Sequence, residues 1–415
     1  MILTTLPQTY KFLLAASIGC ISTIYSMAAI TDGPLGKINL SVNAKATYDS
    51  NVFSMPTADF NAYKTTATEL KSSGDLLLEL TPAAHFTKKI KMIVINGTVG
   101  ARGVYFVRNK DKSFVNPITS LTIDFDETLS KQKRVSNNAK IRFDAVFDVG
   151  QKTETSVLEN DLTSYAYFSV GLNARYNHSP KFGAGVGTTY TYRDYQSETG
   201  VNYYQDVTTL PISGRLFYIY SPKLDFFTEY NYTPTRGGNS DSARAIDAVT
   251  HTINFGAQGD LFTKASGSVR IGHTIKNYDH DILSESSISL GTDLSWKINQ
   301  KTGVSINLSR NFEPSPQNNS ILTTSSSLAL NHRLNEKMSA SIFTSWSSSD
   351  YTTVSSGKLK SASRNMDLIT LGASLQKRLS ARFTTSGGYT FSTASQSVGG
   401  DFDRHILYVD LSGRY

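Results

Sequence analysis

A strict two-residue alternation recurs along almost the whole chain. In SISLGTDLSWKI, Ile288, Leu290, Thr292, Leu294, Trp296 and Ile298 alternate with Ser289, Gly291, Asp293, Ser295 and Lys297. KINLSVNAKATYD sets Ile38, Leu40, Val42, Ala44, Ala46 and Tyr48 against Asn39, Ser41, Asn43, Lys45, Thr47 and Asp49. KIRFDAVFDVG, GVSINLS and ARFTTSGGYTF repeat the theme. Successive strand side chains point to opposite faces, so each segment is a strand with one apolar and one polar side. Such a chain folds into sheets wetted on one face only.

Short lysine-bearing turns punctuate the strands. They lie around Lys88, Lys133, Lys181, Lys223, Lys264, Lys301, Lys337 and Lys377, with gaps between 36 and 48 residues. A period of about 40 fits two strands of about 10 to 12 residues, one tight turn and one longer loop. MPTADFNAYKTTATEL, TPTRGGNSDSARAID, NFEPSPQNNS, SSSDYTTVSSGKLKSASRN and STASQSVGGDFD, rich in Ser, Asn, Asp, Gly and Pro, read as the loops of the other end. Eight turns separate nine hairpins, which predicts 18 strands. TSVLENDLTS reads as either loop or strand, so 16 is the alternative.

The polar face decides the environment. A soluble sandwich would share the period, but three features favour an antiparallel up-and-down barrel in a membrane. The apolar rows mix Leu, Val and Ile with much Ala, Gly and Thr. Tyr190, Tyr192, Tyr218, Tyr220, Tyr230, Tyr232, Trp296, Trp346, Tyr389 and Phe391 sit near strand ends, where a bilayer interface takes amphipathic rings. The final HILYVDLSGRY is itself an alternating strand ending on an aromatic residue.

The amino terminus reads as a secretory signal peptide over residues 1–28. Lys11 precedes FLLAASIGCISTIYSMAAI, and Ser26-Met27-Ala28 offers a cleavage site. A membrane anchor and lipidation at Cys20 are the alternatives. Cleavage at Ala28 leaves residues 29–415 as the barrel and removes the one cysteine. The formal charge of +7 comes from scattered Lys and Arg with no basic tract, which argues against nucleic acid as a partner.

The seven histidines form no H-x-x-x-H or H-E-x-x-H pair, and His273 and His280 flank a hairpin tip. No catalytic motif, cofactor loop or metal site is read. GAGVG (183–187) follows strand rather than helix spacing and serves curvature or close packing. The candidate site is the lumen. The inferred inner face carries Lys45, Arg102, Arg142, Arg215, Arg270, Arg382 and Arg404 against Glu79, Asp144, Asp148, Asp293 and Asp410. Rings of charge set ion preference in pores, and the basic excess predicts anionic solutes. Cross-strand ion pairs that cancel the field are the competing expectation.

Two resemblances follow from these residues. HILYVDLSGRY resembles the terminal signal read by the barrel-assembly machinery, with Leu407, Val409, Leu411 and Tyr415 at the matching positions. ATYDSNVF resembles an early stretch of the β-barrel porin type 2 family, through Tyr48, Asp49, Asn51 and Val52. Relatives in that family include outer-membrane proteins encoded beside exopolysaccharide genes. The resemblance implies an outer-membrane channel among lipid and lipopolysaccharide, passing small hydrophilic solutes or saccharides by diffusion, with homo-oligomers allowed. An exopolysaccharide export conduit or scaffold is the alternative, and an outer-membrane hydrolase the second.

Overall fold

The protein is described by a computed structural model covering residues 36–56, 59–61, 71–126, 141–197, 204–237, 247–279, 284–317, 319–355, 358–397 and 400–415. The expected signal peptide, the turn around Lys133 and His280 lie outside the described residues. The strands in chain order are β1 (Lys37–Asp49), β2 (Asp75–Ile90), β3 (Ile93–Phe106), β4 (Phe114–Asp126), β5 (Ile141–Ser156), β6 (Asp161–Asn177) and β7 (Phe182–Ser197). They continue as β8 (Val207–Thr209), β9 (Ile212–Ser221), β10 (Leu224–Gly237), β11 (Ala248–Phe262), β12 (Ala265–Tyr278) and β13 (Ser284–Lys297). The last are β14 (Thr302–Pro314), β15 (Asn319–Arg333), β16 (Met338–Ser355), β17 (Lys358–Arg378), β18 (Phe383–Gln396) and β19 (Phe402–Arg414).

Both β8 and β9 pair with β7 on one side and β10 on the other, so they are two pieces of one stave broken at Leu210-Pro211. The barrel therefore has 18 staves. Each pairs antiparallel with its sequence neighbour, and β1 closes the ring against β19 from Ser41–Arg414 to Asp49–Ile406. Leu40 and Tyr415 exchange both backbone N–H···O bonds, at 2.9 and 2.8 Å.

A local rule builds the tight turns. Ser179, Ser221, Asn299, Asn335 and Ser380 each accept, through the side-chain oxygen, the N–H of the residue two positions on. Ser and Asn do this because their short polar side chains mimic a backbone acceptor. The residue two positions on is Lys181, Lys223, Lys301, Lys337 or Arg382. Its carbonyl then accepts an N–H from the neighbouring stave, as in Lys181 to Ile219 and Arg382 to Arg414. The lysine period thus reflects turn geometry. In the last turn Arg382, not Lys377, holds the matching place, and Lys88 likewise lies in β2 just before its turn.

The staves exceed the expected 10 to 12 residues, running from 13 in β1 to 21 in β17. SSSDYTTVSSGKLKSASRN, expected as loop, is mostly the upper parts of β16 and β17, whose ladder runs to Ser355–Lys358. Backbone pairing needs no apolar face, so small polar residues continue the wall above the bilayer. TSVLENDLTS resolves into two strand ends around a turn at 157–160.

One face of the staves exposes large apolar residues, among them Leu216, Phe255, Ile342, Leu407, Val409 and Leu411. This is the lipid face. Tyr230 and Tyr389 lie on it and share hydrogen bonds with His251 Nδ1 (2.8 Å) and His405 Nδ1 (2.7 Å), an amphipathic pairing suited to the interface. A furrow of about 810 Å³ runs over Phe182, Leu216, Tyr218, Phe226, Phe255 and Ile271 and is therefore a lipid groove rather than a solute site.

On the inner face, rings lie on glycines of the next stave. Phe227 faces Gly256, Phe343 faces Gly372 and Tyr408 faces Gly388. A Cβ on Gly256 would sit 2.5 Å from the Phe227 ring and 2.4 Å from Val269 O. Gly256→Leu should therefore destabilise the barrel by about 1–3 kcal/mol through overpacking. The urea midpoint of the detergent-solubilised protein, followed by tryptophan fluorescence, checks this.

Candidate functional site

Alternation places Lys45, Arg102, Arg142, Arg215, Arg270, Glu79, Asp144, Asp148, Asp293 and Asp410 on the same face as the glycine-backed rings. Arg382 is the exception. It belongs to the turn at 379–382, its guanidinium 5.3 Å from the Tyr415 ring, because the basic position of that turn falls there. Several of the inner charges are brought together. Arg102 Nη2 meets Glu79 Oε2 at 2.8 Å, and Arg215 pairs with Glu229. Asp144 accepts from Asn173 (2.8 Å) and Asp410 from Ser386. Sequence reasoning passed over Arg175, whose Nη1 lies 2.7 Å from the fully buried Asp225.

These cations lie flat on the wall. Arg175 stacks 4.1 Å from the centroid of Phe217, which lies over Gly185, the middle inward glycine of GAGVG. Arg215 covers Phe227 at 5.5 Å, over Gly256, and Lys45 covers Tyr408 at 4.7 Å, over Gly388. Glycine, ring and cation form three layers. The glycine lets the ring lie close, and the ring holds the cation by its quadrupole. Bulk is thereby packed against the wall and the bore stays polar. Arg270 differs. Its partners on both neighbouring staves are Gly256 and Gly291, and its guanidinium lies across Gly291.

The mouth opposite the tight turns is bridged from three sides. First, the chain after β1 turns inward, and of the stretch 55–70, expected as a polar loop, the described residues Met55, Pro56 and Phe60 are buried. Val52, Phe53, Met55 and Phe60 pack on Val104, Phe106 and Leu162. The ATYDSNVF stretch builds this turn. Tyr48 is exposed on the lipid face. Asp49 accepts three bonds from Arg404, the shortest 2.5 Å, with both side chains largely buried. Asn51 brackets the turn, donating to Met55 O (2.9 Å) and accepting from Met55 N (3.2 Å). Val52 is 1% exposed and anchors the apolar cluster.

Second, the β5–β6 hairpin leaves the wall. The β4–β5 ladder stops at Ile118–Gly150, whereas β5 stays paired with β6 up to Ser156–Asp161. Its tip reaches staves far around the ring. Val157 and Leu158 pack on Ile321, Tyr351 and Met366. Tyr351 Oη donates to Leu158 O (2.9 Å) and Arg364 Nη2 to Asn160 Oδ1 (2.5 Å). Third, the β14–β15 tip leans in to meet it. The β13–β14 ladder stops at Leu290–Arg310, and side chains cross the split above: Arg310 Nε to Ser287 Oγ (2.9 Å) and Lys276 Nζ to Ser320 Oγ (2.7 Å). Ser315 Oγ donates to Glu159 Oε1 at 2.8 Å, and Gln205 N to Pro316 O at 2.9 Å. Thr155 joins the assembly to the first segment, donating to Val52 O (2.7 Å) and accepting from Arg404 (3.2 Å).

Burial lifts the Glu159 carboxyl from its ordinary 4.5 to about 7; the Ser315 hydrogen bond and Arg364 pull the other way, and Asp161 pushes it up. Among the described residues there is no group of three or more His, Cys, Asp or Glu able to hold a metal ion.

The barrel resembles three solved structures in shape. OccK2 of Pseudomonas aeruginosa is 8% identical, with 91% of this chain and 98% of that chain covered and a TM-score of 0.49. OccK1 of Pseudomonas aeruginosa is 8% identical, with 91% and 99% covered and a TM-score of 0.46. OccAB4 of Acinetobacter baumannii is 10% identical, with 91% and 98% covered and a TM-score of 0.44. No curated protein sequence matches. The family described as "Putative beta-barrel porin 2" matches residues 38–415, nearly all of the barrel, and this bacterial outer-membrane chain belongs to it.

Proposed function

We propose that the barrel is a passive outer-membrane channel for small hydrophilic solutes, saccharides included. The observation that carries this reading is the closed 18-stave sheet whose inner face bears hydroxyl, amide and ionic side chains. Barrels of this size enclose an aqueous path unless segments fold inward. Transit is diffusion along that wall, with no reaction and no resident cofactor.

The field in the lumen is smaller than the number of basic residues implies. Arg102, Arg215 and Arg404 are matched by Glu79, Glu229 and Asp49. Arg270, flanked by two glycines, holds no ion pair among the described residues. Arg270 therefore carries a modest anion preference, with Lys45 in support. The reversal potential of the purified protein in a potassium chloride gradient should report mild anion selectivity, and Arg270→Glu should remove or invert it. Cation selectivity in the unsubstituted protein would overturn the assignment.

The terminal strand supports a second proposal, recognition by the barrel-assembly machinery. Leu407, Val409 and Leu411 stand exposed in a row, and Tyr415 meets Phe383 edge-on at 6.1 Å. Tyr415→Ala should lower the folded, heat-modifiable fraction in outer membranes several-fold. The urea midpoint of the molecules that do fold should shift little, because one exposed ring contact is worth about 1 kcal/mol. Unchanged yield would remove Tyr415 from the signal.

A further inference from the structure

We propose that the β5–β6 hairpin is a gate, seated across the mouth against the β14–β15 tip and the β16–β17 wall, and that ionisation of Glu159 releases it. The inference rests on the channel reading of the lumen.

The geometry supplies a hinge, a seat and a trigger. The hinge is where β5 parts from β4. Gly150 makes the last rung, and a Cβ there would lie 2.7 Å from Pro117 O. Pro117 has no N–H to extend the ladder upward. β6 keeps its pairing to β7 as far as Thr163–Ser197, so the hairpin swings from that seam rather than detaching. The seat is the patch of Ile321, Tyr351 and Met366, closed by the bonds from Tyr351 and Arg364.

The trigger is the joint at Glu159, which is 6% exposed. Its Oε1 accepts from Ser315, while Oε2 has no partner. Arg364 Nε, Gln205 Oε1 and Gln396 Nε2 are also buried without partners in the same region. Buried unsatisfied polar groups each cost free energy, so the seated hairpin is closed against a penalty that opening to water removes. The charged and titratable groups around Glu159 are Glu154 and Asp161 on its own hairpin and Arg193 and Tyr195 on β7. Tyr351 on β16 and Arg364 on β17 interact with it, and Glu313 on β14 interacts with Arg193 and Tyr351. Glu154 is already paired with Lys152, and Asp161 accepts from Tyr204 (2.6 Å). Arg364 is the cation facing the carboxylate, and its Nη2 is committed to Asn160 and Gln396.

The sign follows from proton binding. A seated Glu159 holds its proton to about pH 7, whereas a water-exposed one releases it near 4.5. The seated state thus gains most below about pH 4.5, and that gain disappears as pH rises through 7. Across the window the closed-to-open ratio falls by up to roughly 300-fold, the value of about 2.5 pKa units.

The test is planar-bilayer conductance of the purified full barrel between pH 5 and pH 8. Open probability should rise between pH 5 and pH 7 and level off above it. Glu159→Gln should stay closed throughout, and a Glu159→Cys/Ser315→Cys variant should lock shut on oxidation and reopen on reduction. A variant with residues 153–164 replaced by a tight turn should conduct at every pH. Equal conductance of the unsubstituted protein at pH 5 and pH 8, or a pH response that survives Glu159→Gln, overturns the gate while leaving the channel. A shortened variant that passes no current overturns the channel reading itself.

Discussion

Everything in this molecule depends on the backbone pairing between the first stave and the last. In hydrocarbon no water can satisfy an N–H or a carbonyl, and each orphan costs several kcal/mol. An open sheet of 18 staves would leave two such rows in lipid. The nine consecutive partners between Ser41–Asp49 and Ile406–Arg414, with the Leu40–Tyr415 exchange below them, remove both edges. Closure also fixes the register of every intervening ladder, and so decides which side chains face lipid and which face the bore. A one-residue slip would turn Lys45 and Asp410, which are cross-strand partners, into the bilayer.

That two-sidedness constrains the interior more than the exterior. Lipid accepts any apolar shape, so the outer face needs no jigsaw. The inner face must remain wet yet carry buried carboxylates such as Asp225 and Glu229. It meets both demands by layering. Glycines 185, 256 and 388 let Phe217, Phe227 and Tyr408 lie against the backbone, and Arg175, Arg215 and Lys45 lie over those rings. Carboxylates of β10 lock the two arginines in place, Glu229 from the stave beside Arg215 and Asp225 from three staves beyond Arg175. Both arginines of these patches are thereby held flat and paired with carboxylates.

What the sequence revealed and what it hid divide along contact range. Strand alternation and the turn rule are local. Ser179-Pro-Lys181 and Asn335-Glu-Lys337 carry their geometry within three residues, so the period, the stave number and the ends of the hairpins could be read from the chain. The motif at Tyr48 to Val52 was legible as a family mark but not as a device. Asp49 finds Arg404 across 355 residues, and Ser315 finds Glu159 across 156. Nothing in a polar loop's composition says whether it points to solvent or folds into the bore. Arg382 was misplaced for a related reason: alternation counted past a strand end puts a turn residue on a face it does not share.

The distribution of unsatisfied groups sharpens the contrast between wall and mouth. Four of the seven buried side chains with an unpartnered polar atom, among the described residues, are Glu159, Gln205, Arg364 and Gln396, all around the hairpin joint. A barrel that spent its polar groups evenly would not concentrate them in one place, least of all above the bilayer, where water can satisfy them as soon as the contact parts. In the wall, ladder bonds bind staves whose separation would expose backbone to lipid, so those contacts do not open. At the mouth the alternative to each contact is hydration, and the cost of parting is small. The same chain therefore holds an immobile frame and a marginal closure, and the boundary between them is the pair of ladder ends at Gly150 and Arg310.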